Sequence, residues 1–510
     1  MGGILQGKAH GRVDAGKLVM SENRSRTILD LMKGSATLLA AQGIAILSYF
    51  VAQRLILSTL TKEANGILFA ERRMVDMFLI IAVDLGLNII AVRRASQAHD
   101  QGGTHSGTVL SSVVAIRLLL TVPVMLFTLG YGMEAGYSLF DIGMWCAFCL
   151  LSSRVGVIRY LYEVPYRYSM RFIVPAISAV LDASLFLALL YFNAANLTPT
   201  VIIACYLGGV IPGFVMLVVM DRGQYINVRN VSWNEMRSIA MEAIPVASMI
   251  MLSTIHDKVD TLMLGWWSPH EQIGIFGAAS ISIAPIITIV PSVVTLTFMP
   301  LLARLVVSNR EECEKYVHVL IRGLSLFAVV VSAVLSILTP EVIELMSKGR
   351  YAENTLHFAI FLWLPMPIYI VAIAQDAIVT LGLARKSVLI GTSLALSTVI
   401  VGALLIPMYA ALGATITKIA SVCIGATTSL LLLKPMIAGG LNRRFVASLL
   451  TPIAVGVTGF IVLPMIMQRW LAAPLNGTLV ILTALLVGLF SVADVRHIRT
   501  VLKSRIAGRS

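Results

Sequence analysis

The sequence predicts an all-α polytopic membrane protein with about fourteen transmembrane helices. Three observations carry that prediction. First, 58% of the 510 residues are hydrophobic, only 13% are charged, and the mean hydropathy is +0.88. A soluble domain with that balance has too little polar surface to stay in water. Second, apolar runs of about 16–30 residues recur between short polar segments, and each is long enough to cross the hydrocarbon core as a helix. Third, the loop charges are strongly one-sided.

The first seven spans are expected at 35–53, 66–92, 109–130, 137–153, 172–192, 201–220 and 238–264. The second seven are expected at 273–302, 323–338, 356–380, 388–407, 413–433, 446–467 and 474–493. Three ends are drawn so that Arg54, Arg154 and Arg322 fall just outside their spans. Loop charge tests the count. With the N-terminus inside, 29 of the 39 Lys and Arg fall on inner segments, 5 on outer loops and 5 within spans. That bias puts both termini in the cytoplasm. Residues 1–34 are polar and basic without an apolar core, and are expected to be a disordered cytoplasmic tail rather than a signal peptide. Residues 494–510 are expected to be a second basic tail. The net charge of +13 therefore maps onto membrane topology, and no nucleic-acid partner is implied.

Cys146 and Cys149 have C-x-x-C spacing, but no second ligand pair or His accompanies them. They read as small apolar helix residues, and no metal site or catalytic residue is expected.

The second span is the unusual one. Its interior carries Glu71, Arg72, Arg73, Asp76 and Asp84. At about 100° per residue from Arg73, Asp76 lies near −60°, Asp84 near +20° and Asn88 near +60°. Most of these groups share one stripe, which must face protein or a wet cavity because a charge facing lipid costs several kcal/mol. Two readings compete: a substrate or ion path, and a buried ion-pair network that only locks helices together. The remaining in-span cations are Arg117, Lys258 and Lys418. Span 7 adds His256, Asp257 and Asp260, with the two carboxylates placed to pair Lys258 or Arg72 and Arg73, and His256 four residues before Asp260. Asp182 and Asp376 read as isolated carboxylates, each either a carrier of a coupling proton or Na⁺ or a capped, neutral buried acid. Prolines 245, 285, 291, 365 and 367 interrupt spans 7, 8 and 10.

A faint internal repeat is present. Glu63-x-x-Gly66-Ile67 before span 2 matches Glu271-x-x-Gly274-Ile275 before span 8, and Ala70 and Ala278 follow at the same distance. Leu207-Gly208-Gly209 is loosely echoed by Leu412-Gly413-Ala414. The expected organisation is two parallel six-helix lobes, 35–221 and 238–434, with an added helix pair at 446–493.

Three stretches carry a family resemblance. Residues 61–94 place a loop glycine before an Ala-containing helix, then Leu85-Gly86-Leu87-Asn88, then Arg93-Arg94 at the inner end. Asp260-Thr-Leu-Met-Leu-Gly265 is followed by Glu271-x-x-Gly274-Ile-Phe-Gly-Ala-Ala279, and Pro300 precedes Arg304. Ala411-Leu-Gly-Ala-Thr415 opens span 12. Together they resemble the polysaccharide-transporter branch of the multidrug/oligosaccharidyl-lipid/polysaccharide (MOP) superfamily, which includes the Wzx-type flippases. The resemblance implies an alternating-access carrier in the cell inner membrane. It implies as substrate a polyprenyl-pyrophosphate-linked oligosaccharide, an O-antigen or exopolysaccharide repeat unit, moved from the cytoplasmic to the outer leaflet. A polysaccharide polymerase and a chain-length regulator are the expected partners. The carboxylates in span 2 depart from a purely cationic cavity.

The chemistry fits that substrate. Pyrophosphate calls for Arg or Lys, here Arg72, Arg73, Arg117, Lys258 and Lys418. The candidate coupling or gating residues are Asp76, Asp84, Asp182, His256, Asp257, Asp260 and Asp376, with H⁺ or Na⁺ as the expected coupling ion and no other cofactor. The alternatives are a multidrug or cation exporter of the same superfamily and a membrane polysaccharide polymerase or ligase. The first predicts a cavity of carboxylates and aromatics. The second needs a sizeable outer loop or domain, and no phosphate loop or nucleophile triad is present.

Overall fold

The computed structural model describes residues 37, 40–41, 43–100, 105–152, 158–168, 171–308, 310–381, 383–434 and 443–489. The expected N-terminal and C-terminal tails and Arg154 lie outside the described residues. Every regular element among the described residues is helical. The first half holds α1 (Gly43–Thr59), α2 (Lys62–Leu79), α3 (Leu87–Asp100), α4 (His105–Glu134), α5 (Leu139–Leu151), α6 (Arg159–Tyr168), α7 (Ile173–Phe192) and α8 (Pro199–Asp221). The second holds α9 (Trp233–Trp267), α10 (His270–Ser308), α11 (Arg310–Ile337), α12 (Thr339–Ser347), α13 (Thr355–Phe361), α14 (Pro365–Thr380), α15 (Ala384–Leu433), α16 (Arg443–Ile466) and α17 (Arg469–Leu486).

Among the described residues, nine helices are long and apolar enough to cross a membrane, and eleven are if each of two bent pairs counts as one span. Shorter apolar helices, α1 and α5, stand beside them. The chain is a multi-pass helical membrane protein. Its lipid-facing surfaces stay apolar: on α4, Leu119, Val122, Leu126 and Phe127 are all exposed.

Several expected boundaries move. Span 2 was expected to be one continuous helix, but α2 gives way to a π-helical turn at Ile80–Asp84 and then to left-handed Leu85 (φ 43°) and Gly86 (φ 72°). The pair α2–α3 is bent by 41°. A π turn admits an extra residue, so Asp84 and Asn88 leave the stripe that starts at Arg73. Gly86 is required twice: by its positive φ, and because a Cβ there would lie 2.4 Å from Val246 Cγ1 on α9. The ends drawn to exclude Arg54 and Arg322 also shift, because both residues lie inside helices. Arg54 Nε donates to the Leu345 carbonyl (2.8 Å), and Arg322 donates to the carbonyls of Gly488 and Leu489. Helix-end carbonyls thus satisfy charges that hydropathy alone pushes outward. Spans 11 and 12 run together as α15, which breaks sharply at Ala410 (φ 46°, ψ −124°). Gly413 lies inside that bend, where a Cβ would sit 2.2 Å from the Leu405 carbonyl oxygen. α9 bends by 54° between Ile244 and Val246.

Two large apolar clusters organise the packing. One draws mainly on α1, α2, α5, α7 and α8, with Trp145, Phe148, Phe186 and Tyr206 at its centre. The other draws on α10 through α16. The two meet along α2 and α10, and here the sequence repeat acquires a meaning. Gly66 and Gly274 face one another. A Cβ on Gly66 would fall 1.7 Å from the His270 carbonyl oxygen, and one on Gly274 would fall 1.9 Å from that of Lys62. Residues at matching places in the repeat therefore touch each other's backbones. Asn65 Nδ2 closes the crossing with bonds to the Gly274 carbonyl and the Tyr351 hydroxyl, both at 3.2 Å. In lipid no hydrophobic force drives helices together, so close backbone approach through small residues supplies the association.

Candidate functional site

The site is built on α2, α5, α9 and α15. α2 begins where Thr61 caps it by accepting from Ala64 N (3.1 Å), with Glu63 in the first turn. The helix then carries Arg73 and Asp76 to the contact with α9, with Arg72 turned toward α1, α5 and α8. Arg73 reaches Asp257 on α9 at 2.9 Å. Lys258 sits between Asp76 (3.5 Å) and Asp257 (3.3 Å). Lys418 on α15 reaches Asp260 at 3.1 Å and Asp257 at 3.8 Å. It also donates to the backbone carbonyls of His256 (2.9 Å) and Asp257 (3.0 Å), which capture it on the α9 backbone. Arg72 lies 3.9 Å from Asp76. Four cations thus interleave with three carboxylates across two halves of the molecule. All are largely buried except the Asp257 side chain, which is 51% exposed. Asp257 is the point where the group opens.

Arg72 is held by aromatic rings from separate helices. Its guanidinium lies over Tyr49 (5.7 Å), Trp145 (5.5 Å), Phe148 (5.9 Å) and Tyr206 (5.1 Å). It donates to the hydroxyls of Tyr49 (2.9 Å) and Tyr206 (3.3 Å). Gln53 in turn donates to Tyr206 at 2.6 Å. The sequence could not flag these rings, because they come from α1, α5 and α8 and look like ordinary apolar helix residues. Cys149, expected to be a small apolar residue, donates its thiol to Asp76 Oδ1 (3.2 Å) and belongs to the site.

The structure thus brings together Arg72, Arg73, Asp76, Asp257, Lys258, Asp260 and Lys418. His256 lies at the same level, yet its Nδ1 meets Thr398 Oγ1 (2.8 Å) and not Asp260, its neighbour four residues on. Asp260 instead accepts from Thr261 N at 2.7 Å. Arg117 is fully buried on α4 and pairs with Asp84 at the end of the π turn. Asp376 is half-buried on α14.

Asp182 corrects the expectation of an isolated acid. Arg159 at the start of α6, counted as an inner-loop cation, is 0% exposed, 2.5 Å from Asp182 and 3.6 Å from Glu163. A Cβ on Gly213 would fall 2.1 Å from Asp182 Oδ1, so that glycine makes the room. Arg159→Met should strand two buried carboxyl groups at a cost of about 3–5 kcal/mol. Protein yield and melting temperature should fall together. A variant that melts like the wild type would show that the pair carries no stability.

At the end where α3 leaves the site, Arg94 clamps α9. It donates to Glu242 Oε2 (2.8 Å), Glu235 Oε1 (2.7 Å) and Ser238 Oγ (2.8 Å), and Arg93 also pairs with Glu242. At the opposite end Lys62 pairs with Glu353, and Arg350 donates to the carbonyls of Thr59 (2.9 Å) and Leu60 (2.7 Å). Polar contacts therefore close the group above and below.

No protein-family model and no curated protein matches this sequence. Solved structures do share its fold. The lipid II flippase MurJ, in an inward closed conformation, superimposes with TM-score 0.65 at 13% identity, covering 88% of this chain and 97% of that one. An inward-facing multidrug resistance transporter of the MATE family gives TM-score 0.58 at 13% identity over 77% and 96%. A MOP superfamily transporter from Pyrococcus furiosus gives 0.52 at 13% over 79% and 94%. At such identity the likeness is one of fold, and this chain shares the fold of those solved structures.

Proposed function

We propose that the protein is a flippase for a polyprenyl-pyrophosphate-linked oligosaccharide, working by alternating access in the cell inner membrane. The observation that carries this reading is the gathering of Arg73, Lys258 and Lys418 between α2, α9 and α15, with Arg72 joined to them through Asp76 as a fourth cation to three acids. An anionic diphosphate entering there would take over the cations that Asp257 now holds at the open edge. Asp76, Asp257 and Asp260 would hold the cations in its absence. In this reading α15 crosses twice about its break at Ala410, and α1 and α5 also cross. That makes fourteen spans with both ends cytoplasmic, and a cleft between two six-helix lobes. The clamp of Arg94 and the contacts of Lys62 and Arg350 would open in turn.

The fold likeness to MurJ, whose name states that it is a flippase of lipid II, agrees with this reading. A second reading, an exporter of organic cations, is favoured by the aromatic enclosure of Arg72, which a substrate cation would fit if Arg72 withdrew.

Complementation separates the two. In a strain lacking its own flippase, with surface polymer as the readout and protein level as the control, Arg73→Glu should abolish polymer while Arg73→Lys retains part of it. Normal polymer from Arg73→Glu would refute the anion site. Gain of resistance to cationic drugs by the wild-type chain would support the exporter.

A further inference from the structure

We infer that Glu71 and Asp141 form a proton-binding site, beside the charge cluster but not part of it. Glu71 on α2 is 0% exposed, and neither of its carboxyl oxygens has a hydrogen-bond partner. Arg72, the next residue, turns away to Tyr49 and Tyr206. Asp141 stands in the first turn of α5 and is 5% exposed. One of its oxygens accepts from Thr200 Oγ1 (3.0 Å), and the other is unbonded. Trp145, one turn further along α5, is fully buried, and its indole N–H lies beside Glu71. The titratable groups that face Glu71 are Asp141 and Tyr137, which precedes α5. Neither is a cation.

This sets Glu71 and Asp141 apart from the buried acids of the ion pairs. Asp76 has Lys258, Asp257 has Arg73, Asp260 has Lys418, Asp84 has Arg117 and Asp182 has Arg159. A carboxylate buried without a counter-charge is too costly to keep ionised, and it neutralises by taking up a proton. Glu71 takes up that proton with the Asp141 carboxyl in its surroundings, and the indole N–H is on hand for the deprotonated form. No group of three or more His, Cys, Asp or Glu side chains placed to hold a metal ion occurs among the described residues. Asp141 lies near the start of α5, while Glu71 lies about two and a half turns into α2. The topology proposed above makes that end the outer one, so Asp141 stands on the path of a proton arriving from outside. Trp145 is a wall shared with the cluster, since its ring also lies under the Arg72 guanidinium at 5.5 Å.

The inference rests on the chain being a transporter but on no particular substrate. Its test therefore uses none. Infrared spectra of the full-length protein in lipid nanodiscs at neutral pH should show the carbonyl stretch of a protonated carboxylic acid. The band should shift when glutamate is supplied with heavy carbon in its side-chain carboxyl, and it should vanish in Glu71→Gln. Asp141→Asn should move the labelled band without removing it, which also covers the case of Glu71→Gln failing to fold. A spectrum without a glutamic acid band, or a band unchanged in both variants, would overturn the assignment. Loss of the band when sodium replaces potassium would overturn it in favour of a sodium site. Failure of the polymer assay above would leave these spectra unaffected.

Discussion

Lys418→Ala should destabilise the protein by about 3–5 kcal/mol, because it leaves a buried carboxylate without its counter-charge. Asp260 is 0% exposed and 3.1 Å from the Lys418 ammonium. The single variant therefore confounds stability with transport. The informative comparison is the double variant Lys418→Gln with Asp260→Asn. It removes both charges and keeps the volumes, so protein yield and melting temperature should recover most of the loss. Surface polymer should stay low, because the cation that meets the diphosphate is still missing. Polymer recovering in step with stability would instead mean that Lys418 and Asp260 only lock α9 to α15. This comparison separates the two readings of the charged stripe, which single substitutions leave entangled.

Gly274→Ala is expected to be among the most damaging of the small substitutions. Its new methyl carbon would lie 1.9 Å from the Lys62 carbonyl oxygen, a backbone atom that cannot swing aside. α2 and α10 would have to part, at a cost of about 1–3 kcal/mol or more. Gly66→Ala meets the His270 carbonyl oxygen at 1.7 Å and should behave alike. In both, the melting temperature of the purified protein should drop and polymer should be lost with it. Gly130 and Gly143 have nothing within 4 Å of the added carbon, so their alanine variants should melt at or slightly above the wild-type temperature. A wild-type melt for Gly274→Ala would mean that the crossing is looser than described.

Much of this molecule was legible before any coordinates. The apolar runs mark helix after helix, since length and hydropathy are local properties of the chain and the bilayer reads them locally. The charged stripe of α2 pointed inward for the same local reason: Arg73 and Asp76 cannot face lipid. The Gly66 and Gly274 repeat was visible as letters, though not as a contact. Pairing is another matter. Lys418 has no acid near it in sequence and meets Asp260 only when α15 packs on α9. Arg159 looked like a loop charge and Asp182 like a lone acid until α6 tucked beside α7.

The chain by itself determined a many-helix membrane protein, with an inward charged stripe on its second span and a doubled glycine motif. These follow from hydropathy, period and spacing along one strand of residues. Tertiary structure alone decided that Arg72 sits among four aromatic rings, that Cys149 donates to Asp76, and that Glu71 is buried away from the cations that pair Asp76, Asp257 and Asp260. The reason is that electrostatic compensation is set by distance in space. A helix brings only its own third and fourth neighbours within reach, while every other partner depends on which helices lie side by side.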